Sequence, residues 1–123
     1  MSRNAVGWFE IYVDNIERAK KFYEAVFAVT LDRLESPEVE MWSFPMNDEA
    51  PGSSGALVYM PGFKAGGNST LVYFNCDDCA VEESRVEQNG GKIFKTKFSI
   101  GEYGFVSLAN DTEGNIFGLH SMR

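Results

Sequence analysis

Two side chains in this sequence have the chemistry of an acid–base pair, the carboxylate of Glu10 and the imidazole of His120, which is the only histidine. A carboxylate and an imidazole that share a proton can act as general base and general acid, and the phenol of Tyr73 is an alternative partner for Glu10. The structural alternative is that Glu10 hydrogen-bonds a tyrosine or a backbone amide and that His120 covers the mouth of a cavity. Catalysis therefore depends on whether the fold brings Glu10 close to His120 or Tyr73.

Glu10 lies in a segment whose side chains alternate between two faces, as those of a β-strand do. One face is apolar and the other is polar or aromatic, with Phe9, Ile11 and Val13 on the first and Trp8, Glu10 and Tyr12 on the second. Asp14 and Asn15 are typical helix-capping residues, and apolar side chains recur at helical spacing over residues 16–27. We predict a helix that covers the apolar face of the strand, so the Glu10 face is free to line a cavity.

The same order of elements occurs twice along the chain. A shift of 63 positions aligns Asp14 with Asp77 and Gly55 with Gly118, and strand, cap, helix and turn then coincide in the two halves. We predict an α+β fold in a single domain over residues 1–123, made of two paired βαβββ units. The first unit covers residues 1–60, a glycine-rich linker covers 61–69, and the second unit covers 70–123.

The remaining elements follow from local patterns. Further strands are predicted at 29–34, 39–46, 55–60, 70–76, 92–99, 103–109 and 116–122, and a second helix at 79–89. Gly90 and Gly91 should end that helix, and residues 110–115 should form a turn with Gly114 or Asn115 at positive φ. Because one unit is too small to bury both faces of its sheet, the two units should pair, with the helices outside and the sheets around a shared cavity.

Strand alternation also predicts the wall of that cavity. The first strand of each half contributes its polar or aromatic face, which is Trp8, Glu10 and Tyr12 in the first half and Leu71, Tyr73 and Asn75 in the second. The last strand of each half contributes Gly55, Leu57 and Tyr59 in the first half and Gly118, His120 and Met122 in the second. The predicted wall is aromatic, and its two candidate acid–base groups are Glu10 and His120.

Composition limits the partners of this protein. The net charge is −7 at pH 7, and the sequence pI is about 4.6. Nucleic acids and anionic membrane surfaces both bind clustered Lys and Arg, so neither is an expected partner. The sequence lacks a membrane-spanning apolar run and a basic segment followed by a long apolar one at the start, so we expect a cytoplasmic protein with a small-molecule ligand.

Cys76 and Cys79 have the CxxC spacing of redox motifs, and Cys79 lies near a helix start, where a thiolate is stabilised. The internal repeat favours a different role. Cys76 aligns with Val13 and Cys79 with Ile16, which are both predicted core positions. We therefore expect the two cysteines to be small buried side chains.

Three segments, spread over nearly the whole chain, form a combination that is typical of one protein family. They are the opening strand with Asn15-Ile16-Glu17-Arg18-Ala19 and Phe22-Tyr23, the strand into Cys76-Asp77-Asp78 with its helix and Gly90-Gly91, and Asp111-Thr112-Glu113-Gly114-Asn115 before the last strand. In these segments the chain resembles the vicinal oxygen chelate superfamily, which includes glyoxalase I, bleomycin-resistance proteins and extradiol dioxygenases. It looks most like the small single-domain branch related to lactoylglutathione lyase, and the resemblance implies a homodimer.

The resemblance also implies where a metal would bind. Carried over by motif, the four ligand positions of the family fall at Trp8, Leu71 and Gly118 and near Gly55. None of these residues can bind a divalent ion through its side chain, and Glu10 with His120 alone would supply too few ligands. We therefore expect no metal and no other cofactor, and the usual Lewis-acid reaction of the family lacks its centre.

Two functions from different classes remain open. The first is a metal-independent or atypical enzyme, lyase-like or isomerase-like, that acts on a small organic substrate with Glu10 as base and His120 or Tyr73 as its partner. The second is a non-catalytic protein that binds and sequesters a drug or antibiotic, and an aromatic cavity in an acidic chain suits a cationic or aromatic ligand. The predicted ligand contacts for both functions are Trp8, Tyr12, Leu57, Tyr59, Leu71, Asn75 and Gly118.

Overall fold

The computed structural model describes residues 4–123, and residues 1–3, which the predicted first unit includes, lie outside the described part. Within it, eight strands and two α-helices follow the order β1, α1, β2, β3, β4, β5, α2, β6, β7, β8. The strands are β1 at Glu10–Tyr12, β2 at Asp32–Leu34, β3 at Glu40–Ser43, β4 at Ala56–Tyr59, β5 at Tyr73–Asn75, β6 at Lys92–Ser99, β7 at Phe105–Asn110 and β8 at Ile116–Ser121. The helices are α1 at Ile16–Phe27 and α2 at Cys79–Val86.

Each half of the chain forms one four-stranded mixed sheet, and the two sheets have the same topology. The strand order is β1-β4-β3-β2 in the first sheet and β5-β8-β7-β6 in the second. The first strand of each half pairs in parallel with the last, and the other neighbouring strands are antiparallel. The predicted α+β fold of two paired βαβββ units is confirmed, although several strands are shorter than their apolar patterns suggested.

Helix α1 begins at a side-chain cap and ends at an unusual residue. The Asn15 side chain accepts a hydrogen bond from the backbone N–H of Arg18 at 3.0 Å, so Asn15 rather than Asp14 is the cap. At the other end, Ala28 adopts φ 54° and ψ 47°, a left-handed conformation in which the backbone N–H of the cap reaches the carbonyl of Glu24. The helix thus ends through a non-glycine residue at positive φ, which costs conformational energy.

Helix α2 follows the predicted pattern closely. Asp78 caps its start by accepting from the backbone N–H of Ala80 at 3.0 Å. A short 3-10 turn at Glu87–Asn89 continues it, and Gly90 then adopts φ 99°. This conformation is the left-handed one that favours glycine, so the predicted stop at Gly90 is confirmed.

The core lies between the two halves and joins them. Residues on the helix-facing side of both sheets form one apolar cluster with both helices, which includes Ile11, Val13, Phe22, Leu57, Val86, Phe117 and Leu119. The ring of Phe22 on α1 meets that of Phe117 on β8 at a centroid distance of 6.0 Å. The helices also contact each other, since the guanidinium of Arg85 donates to the carbonyl of Val26 at 3.0 Å. Both helices keep an exposed face, with Glu17 and Lys21 on α1 and Ser84 on α2, and they also touch each other at one end.

The pairing of β4 departs from the internal repeat by one residue. Residues paired across neighbouring strands point to the same side of a sheet. In the second half Tyr73 pairs with Gly118, but in the first half Glu10, the equivalent of Tyr73, pairs with Ala56 instead of Gly55. Leu57 therefore pairs with Ile11 and points into the core. The prediction that Gly55 and Leu57 share the Glu10 face is wrong. Equivalent residues of the two halves are 63 positions apart in the first strands but 62 positions apart in the last strands.

The linker contains neither helix nor strand between residues 61 and 69, but hydrogen bonds anchor it to both halves. The N–H of Ala65 donates to the Asp14 side chain at 3.0 Å, and the N–H of Gly66 donates to the Asn115 side chain at 2.7 Å. Asn68 donates to the carbonyl of Ile116 and accepts from its N–H. The linker is thus positioned beside the start of α1 and the start of β8.

No helix among residues 4–123 has the length and apolar character needed to cross a membrane.

Candidate functional site

A cavity of about 260 Å³ lies at the seam between the two halves, and we call it the seam cavity. Residues 9–12 of the first half form one wall, and Thr70, Val72 and residues 115–117 of the second half form another. Lys64 and Asn68 of the linker also line it, and Tyr23 reaches it from α1. Because β1 is an edge strand, the cavity has access to both faces of the first sheet.

Glu10 is held in place by its two neighbours on the same face of the strand. The indole N–H of Trp8 donates to Oε2 at 3.2 Å, and the hydroxyl of Tyr12 donates to Oε1 at 2.9 Å. The hydrogen bond to Glu10 raises the pKa of Tyr12 above 10.0, with burial as a smaller cause. The ring of Phe63 stacks on that of Tyr12 at 5.3 Å. Glu10 is thus a positioned hydrogen-bond acceptor at the edge of the cavity.

The charges of the seam cavity form a simple pattern. Among the residues that line it, Glu10 carries the one carboxylate and Lys64 the one ammonium group. The other lining residues are aliphatic or aromatic, apart from the side chains of Asn68, Thr70 and Asn115. Such a wall suits an organic molecule with an apolar body and one or two polar ends.

Below the cavity, the buried hydroxyl of Tyr23 donates to Oδ2 of Asp111 at 2.7 Å. Burial and the neighbouring Asp111 carboxylate raise the pKa of Tyr23 well above 10.0. Burial also raises the pKa of Asp111, and its hydrogen bonds from Tyr23 and from the N–H groups of Asn115 and Glu113 offset this effect only in part. The predicted turn over residues 110–115 is present, with Gly114 at φ 84°, and it carries this polar cluster.

Glu113 extends the same cluster to the start of α1. Its carboxylate accepts from the N–H groups of Asp14 and Asn15 at 3.0 and 2.9 Å. The guanidinium of Arg18 donates to both carboxylate oxygens, at 2.6 and 2.9 Å. Burial would raise the pKa of Glu113, but the hydrogen bonds from Arg18, Asn15 and Thr112 outweigh it and lower that pKa. Glu113 is therefore a buried carboxylate of the second half that caps the first helix.

The structure of one chain does not bring Glu10 together with its predicted partners. His120 lies on the second sheet, and its Nε2 is 2.6 Å from the carbonyl oxygen of Tyr103. Since a carbonyl only accepts, Nε2 carries the proton. Tyr73 and His120 share one face of that sheet, but neither lines the seam cavity. No hydrogen bond or ion pair joins the described side chains of Glu10 and His120.

The other predicted contacts fall into different environments. Trp8 and Tyr12 flank Glu10, whereas Leu57 is fully buried in the core and cannot contact a ligand without rearrangement. Tyr59 is exposed at the end of β4, opposite Glu40. Leu71 is exposed between Thr70 and Val72, which do line the seam cavity, and Asn75 lines a second cavity described below. Gly118 and Met122 lie on β8 and just after it.

The residues at the ligand positions of the family do not fit a metal. The Trp8 indole is a donor, and Leu71 has no donor atom with a lone pair. At Gly118, a side-chain Cβ would come within 2.3 Å of the Tyr73 ring, so a carboxylate ligand has no room there in this arrangement. Among residues 4–123, no group of three or more His, Cys, Asp or Glu side chains is arranged to bind a metal ion.

The two cysteines occupy core-like positions. Cys79 is fully buried in the apolar cluster, and Cys76 is half-buried beside it. Burial, with a smaller contribution from Glu82, raises the pKa of the Cys76 thiol to about 12. A thiol with such a pKa is a poor nucleophile at neutral pH, so these positions suit packing better than redox chemistry.

Sequence reasoning missed the contributions of Lys64, Asn115, Tyr23 and Asp111 to this site. One available signal was the hydroxyl of Tyr23 within the apolar stripe of a helix, because a buried tyrosine needs a hydrogen-bond partner. The sequence does not specify which of its 18 acidic residues is that partner. The role of Lys64 depends on the path of a linker without regular structure.

A comparison with family models gives one match, to the Glyoxalase/Bleomycin resistance protein/Dioxygenase superfamily over residues 5–119. No curated protein sequence matches this chain. Solved structures with the same fold include glyoxalase I from Zea mays, at a TM-score of 0.74 and 20% identity over 93% of this chain. This chain spans 44% of that protein, so it matches somewhat less than half of it.

Two smaller proteins match over almost their whole length. TnmS3, an antibiotic binding protein from Streptomyces sp. CB03234, has a TM-score of 0.66 and 23% identity over 100% of this chain and 99% of its own. A glyoxalase/bleomycin resistance protein from Albidiferax ferrireducens T118 has a TM-score of 0.65 and 18% identity over 94% of this chain and 98% of its own. These identities are low, and the likeness establishes the fold.

Proposed function

The chain belongs to the Glyoxalase/Bleomycin resistance protein/Dioxygenase superfamily, and we propose that it binds a small organic molecule in the seam cavity. The observation that carries this proposal is a mostly apolar cavity with one positioned carboxylate, Glu10, and one ammonium group, Lys64. The volume of about 260 Å³ lies just below the usual range for drug-sized ligands, so a molecule of one or two rings is the best fit. TnmS3, which has the same fold, is an antibiotic binding protein, so the binding of a small molecule has a precedent on this fold.

The cavity favours a ligand with an amine or other donor at one end. Both oxygens of Glu10 already accept a hydrogen bond, but a carboxylate offers about four lone-pair sites, so it can accept another. The ring of Tyr12 and the side chains of Phe9 and Val72 provide an apolar surface for a planar body. Lys64 supplies a donor for an acceptor group on the ligand.

The test uses benzylamine, which is cationic at pH 7, and benzyl alcohol, which has a similar size and no charge. Isothermal titration should give roughly 3- to 10-fold tighter binding of benzylamine to the wild-type protein, a modest ratio because Glu10 is exposed to solvent. Glu10→Gln should remove this preference, while Glu17→Gln, which removes an exposed carboxylate on α1, should retain it. Equal preference in all three proteins would contradict the proposal.

The second candidate function is a metal-independent enzyme, in which Glu10 would have to lie near His120 or Tyr73. In one chain Glu10 lines the seam cavity, while His120 and Tyr73 lie on a face of the other sheet that points away from the shared core. A second copy of the chain that covers both faces would be needed to bring these groups together. In such an enzyme Glu10→Gln would abolish turnover and retain binding.

We also propose that the chain forms a homodimer, because apolar side chains remain exposed on its surface. Large apolar side chains remain exposed on the outer faces of both sheets, with Trp8 at 40%, Leu71 at 36% and Tyr73 at 47% exposure. Covering these side chains with a second copy would remove apolar surface from water. Sedimentation velocity measures the mass directly, and Tyr73→Glu should shift a dimer towards the monomer. A monomer for the wild-type chain at all concentrations would overturn both the dimer and the enzyme that depends on it.

A further inference from the structure

A second cavity of about 230 Å³ lies between the two halves and shares Phe9 with the seam cavity. Phe27, Phe44 and Phe74 contribute most of its aromatic wall, and Ser53 and Asn75 contribute polar atoms. Of the three predicted catalytic groups, Tyr73 lines it, whereas Glu10 and His120 do not. We call it the phenylalanine cavity.

The aromatic wall is built from packed rings of both halves. Phe74 lies at the centre, with ring centroids at 4.5 Å from Phe27, 5.3 Å from Phe44 and 6.1 Å from Phe9. The Phe9 and Phe74 planes are nearly perpendicular, at 83°. Such an arrangement presents both ring faces and ring edges, so an aromatic guest can meet either in a favourable geometry.

The polar part of this cavity contains a group without a partner. The Ser53 hydroxyl oxygen is buried and makes no hydrogen bond within the described residues. An unsatisfied buried hydroxyl is costly, so a rotation of the Ser53 side chain towards a polar guest would gain the hydrogen bond that the protein itself leaves unmade. No lining side chain of the phenylalanine cavity carries a charge at pH 7, in contrast to the seam cavity.

We propose that the phenylalanine cavity is a second binding site, for an uncharged single-ring aromatic molecule with one hydroxyl or amide group. The phenylalanine rings hold the ring of the ligand, and Ser53 pairs with its polar group. The size agrees, since an apolar cavity of about 150 Å³ in another protein holds benzene. Charged ligands are disfavoured because the wall offers no counter-charge to offset their loss of hydration.

Phenol and toluene test this site, because they have similar size and differ by a hydroxyl in place of a methyl group. In two-dimensional ¹H–¹⁵N NMR titrations, phenol should shift the backbone signals of Ser53, Ser54 and Asn75 in a saturable way. It should bind the wild-type protein roughly 3- to 10-fold more tightly than toluene, the value of one neutral hydrogen bond. Ser53→Ala should bring this ratio close to one, whereas Ser36→Ala, a serine between β2 and β3, should leave it unchanged.

The outcome is independent of the function proposed for the seam cavity. Glu10→Gln should not alter the phenol titration, because Glu10 does not line the phenylalanine cavity. Signal changes centred on Lys64 and Asn115, an unchanged ratio in Ser53→Ala, or linear shifts without saturation would each overturn the second site. The spectra of the variants also show whether the fold is intact.

Discussion

At the scale of single residues, Glu113 joins the two halves through several hydrogen bonds. Its side chain is fully buried, whereas that of its partner Arg18 is 52% exposed. Four donors from the first half converge on it, two from the backbone before α1 and two from Arg18. Loss of these hydrogen bonds would therefore be costly, because the buried Glu113 carboxylate has no water to replace them.

We predict that Glu113→Gln lowers the free energy of unfolding by about 2 kcal/mol at pH 7, because a neutral amide cannot accept all of these hydrogen bonds. The pKa of Glu113 is lowered in the fold from 4.5, so its stabilisation is present above that value and is lost as the pH falls through the lowered one. The difference between wild type and variant should therefore shrink progressively as the pH falls below 4.5. Urea unfolding at several pH values measures this, with Glu17→Gln as the control of equal charge change.

Equal losses of unfolding free energy in Glu113→Gln and Glu17→Gln would show that Glu113 acts as an ordinary surface charge.

The sequence predicted Glu113 only as part of a turn. Alternation along one strand was enough to place Glu10 and Tyr12 on the same face, because side chains on a strand have a fixed period. The position of His120 relative to Glu10 depends on how two sheets pack, which no local pattern contains.

At the scale of elements, the presence and type of each helix and strand could be predicted better than its end residues and its pairing register. The period-two and helical patterns located the described strands and both helices, and Gly90 ended the second helix as expected. The strand predicted at 70–76 was too long, since β5 covers Tyr73–Asn75 and Thr70 and Val72 line the seam cavity. The one-residue shift of β4 followed from backbone hydrogen bonding, and it moved Leu57 from the predicted cavity wall to the core.

The end of α1 offers a test at this scale. Ala28 has φ 54°, a conformation that costs an L-residue roughly 1–2 kcal/mol and that glycine adopts without a steric penalty. We predict that Ala28→Gly raises the free energy of unfolding by about 0.5–1 kcal/mol. Ala25→Gly, on an exposed position inside the same helix, should lower it by a similar amount. Urea unfolding of both variants provides the comparison, and a loss of stability in both would show that the end of α1 is not strained.

At the scale of the whole molecule, the two halves are joined by an aromatic core and by a polar cluster beneath the seam cavity. Tyr23 takes part in both, since its ring lies 6.0 Å from that of Phe74 while its hydroxyl donates to Asp111. The repeat was sufficient to predict that two units pair. It could not predict that both helices and both sheets share one apolar cluster, because that outcome depends on which long-range contacts form together.

Tyr23 therefore links the stability of the whole molecule to pH. Its pKa lies well above 10.0 in the fold, so its stabilisation is complete below about pH 10 and is lost as the pH rises towards the raised value, while the unfolded chain ionises. We predict that this residue alone lowers the free energy of unfolding by about 1 kcal/mol between pH 10 and 11. Tyr23→Phe should remove that part of the slope, although it should also cost about 1–3 kcal/mol at pH 8 by leaving Asp111 with fewer donors. Urea unfolding at fixed protein concentration measures both effects, with the exposed Tyr59→Phe as the control, and a wild-type slope in Tyr23→Phe would contradict the assignment.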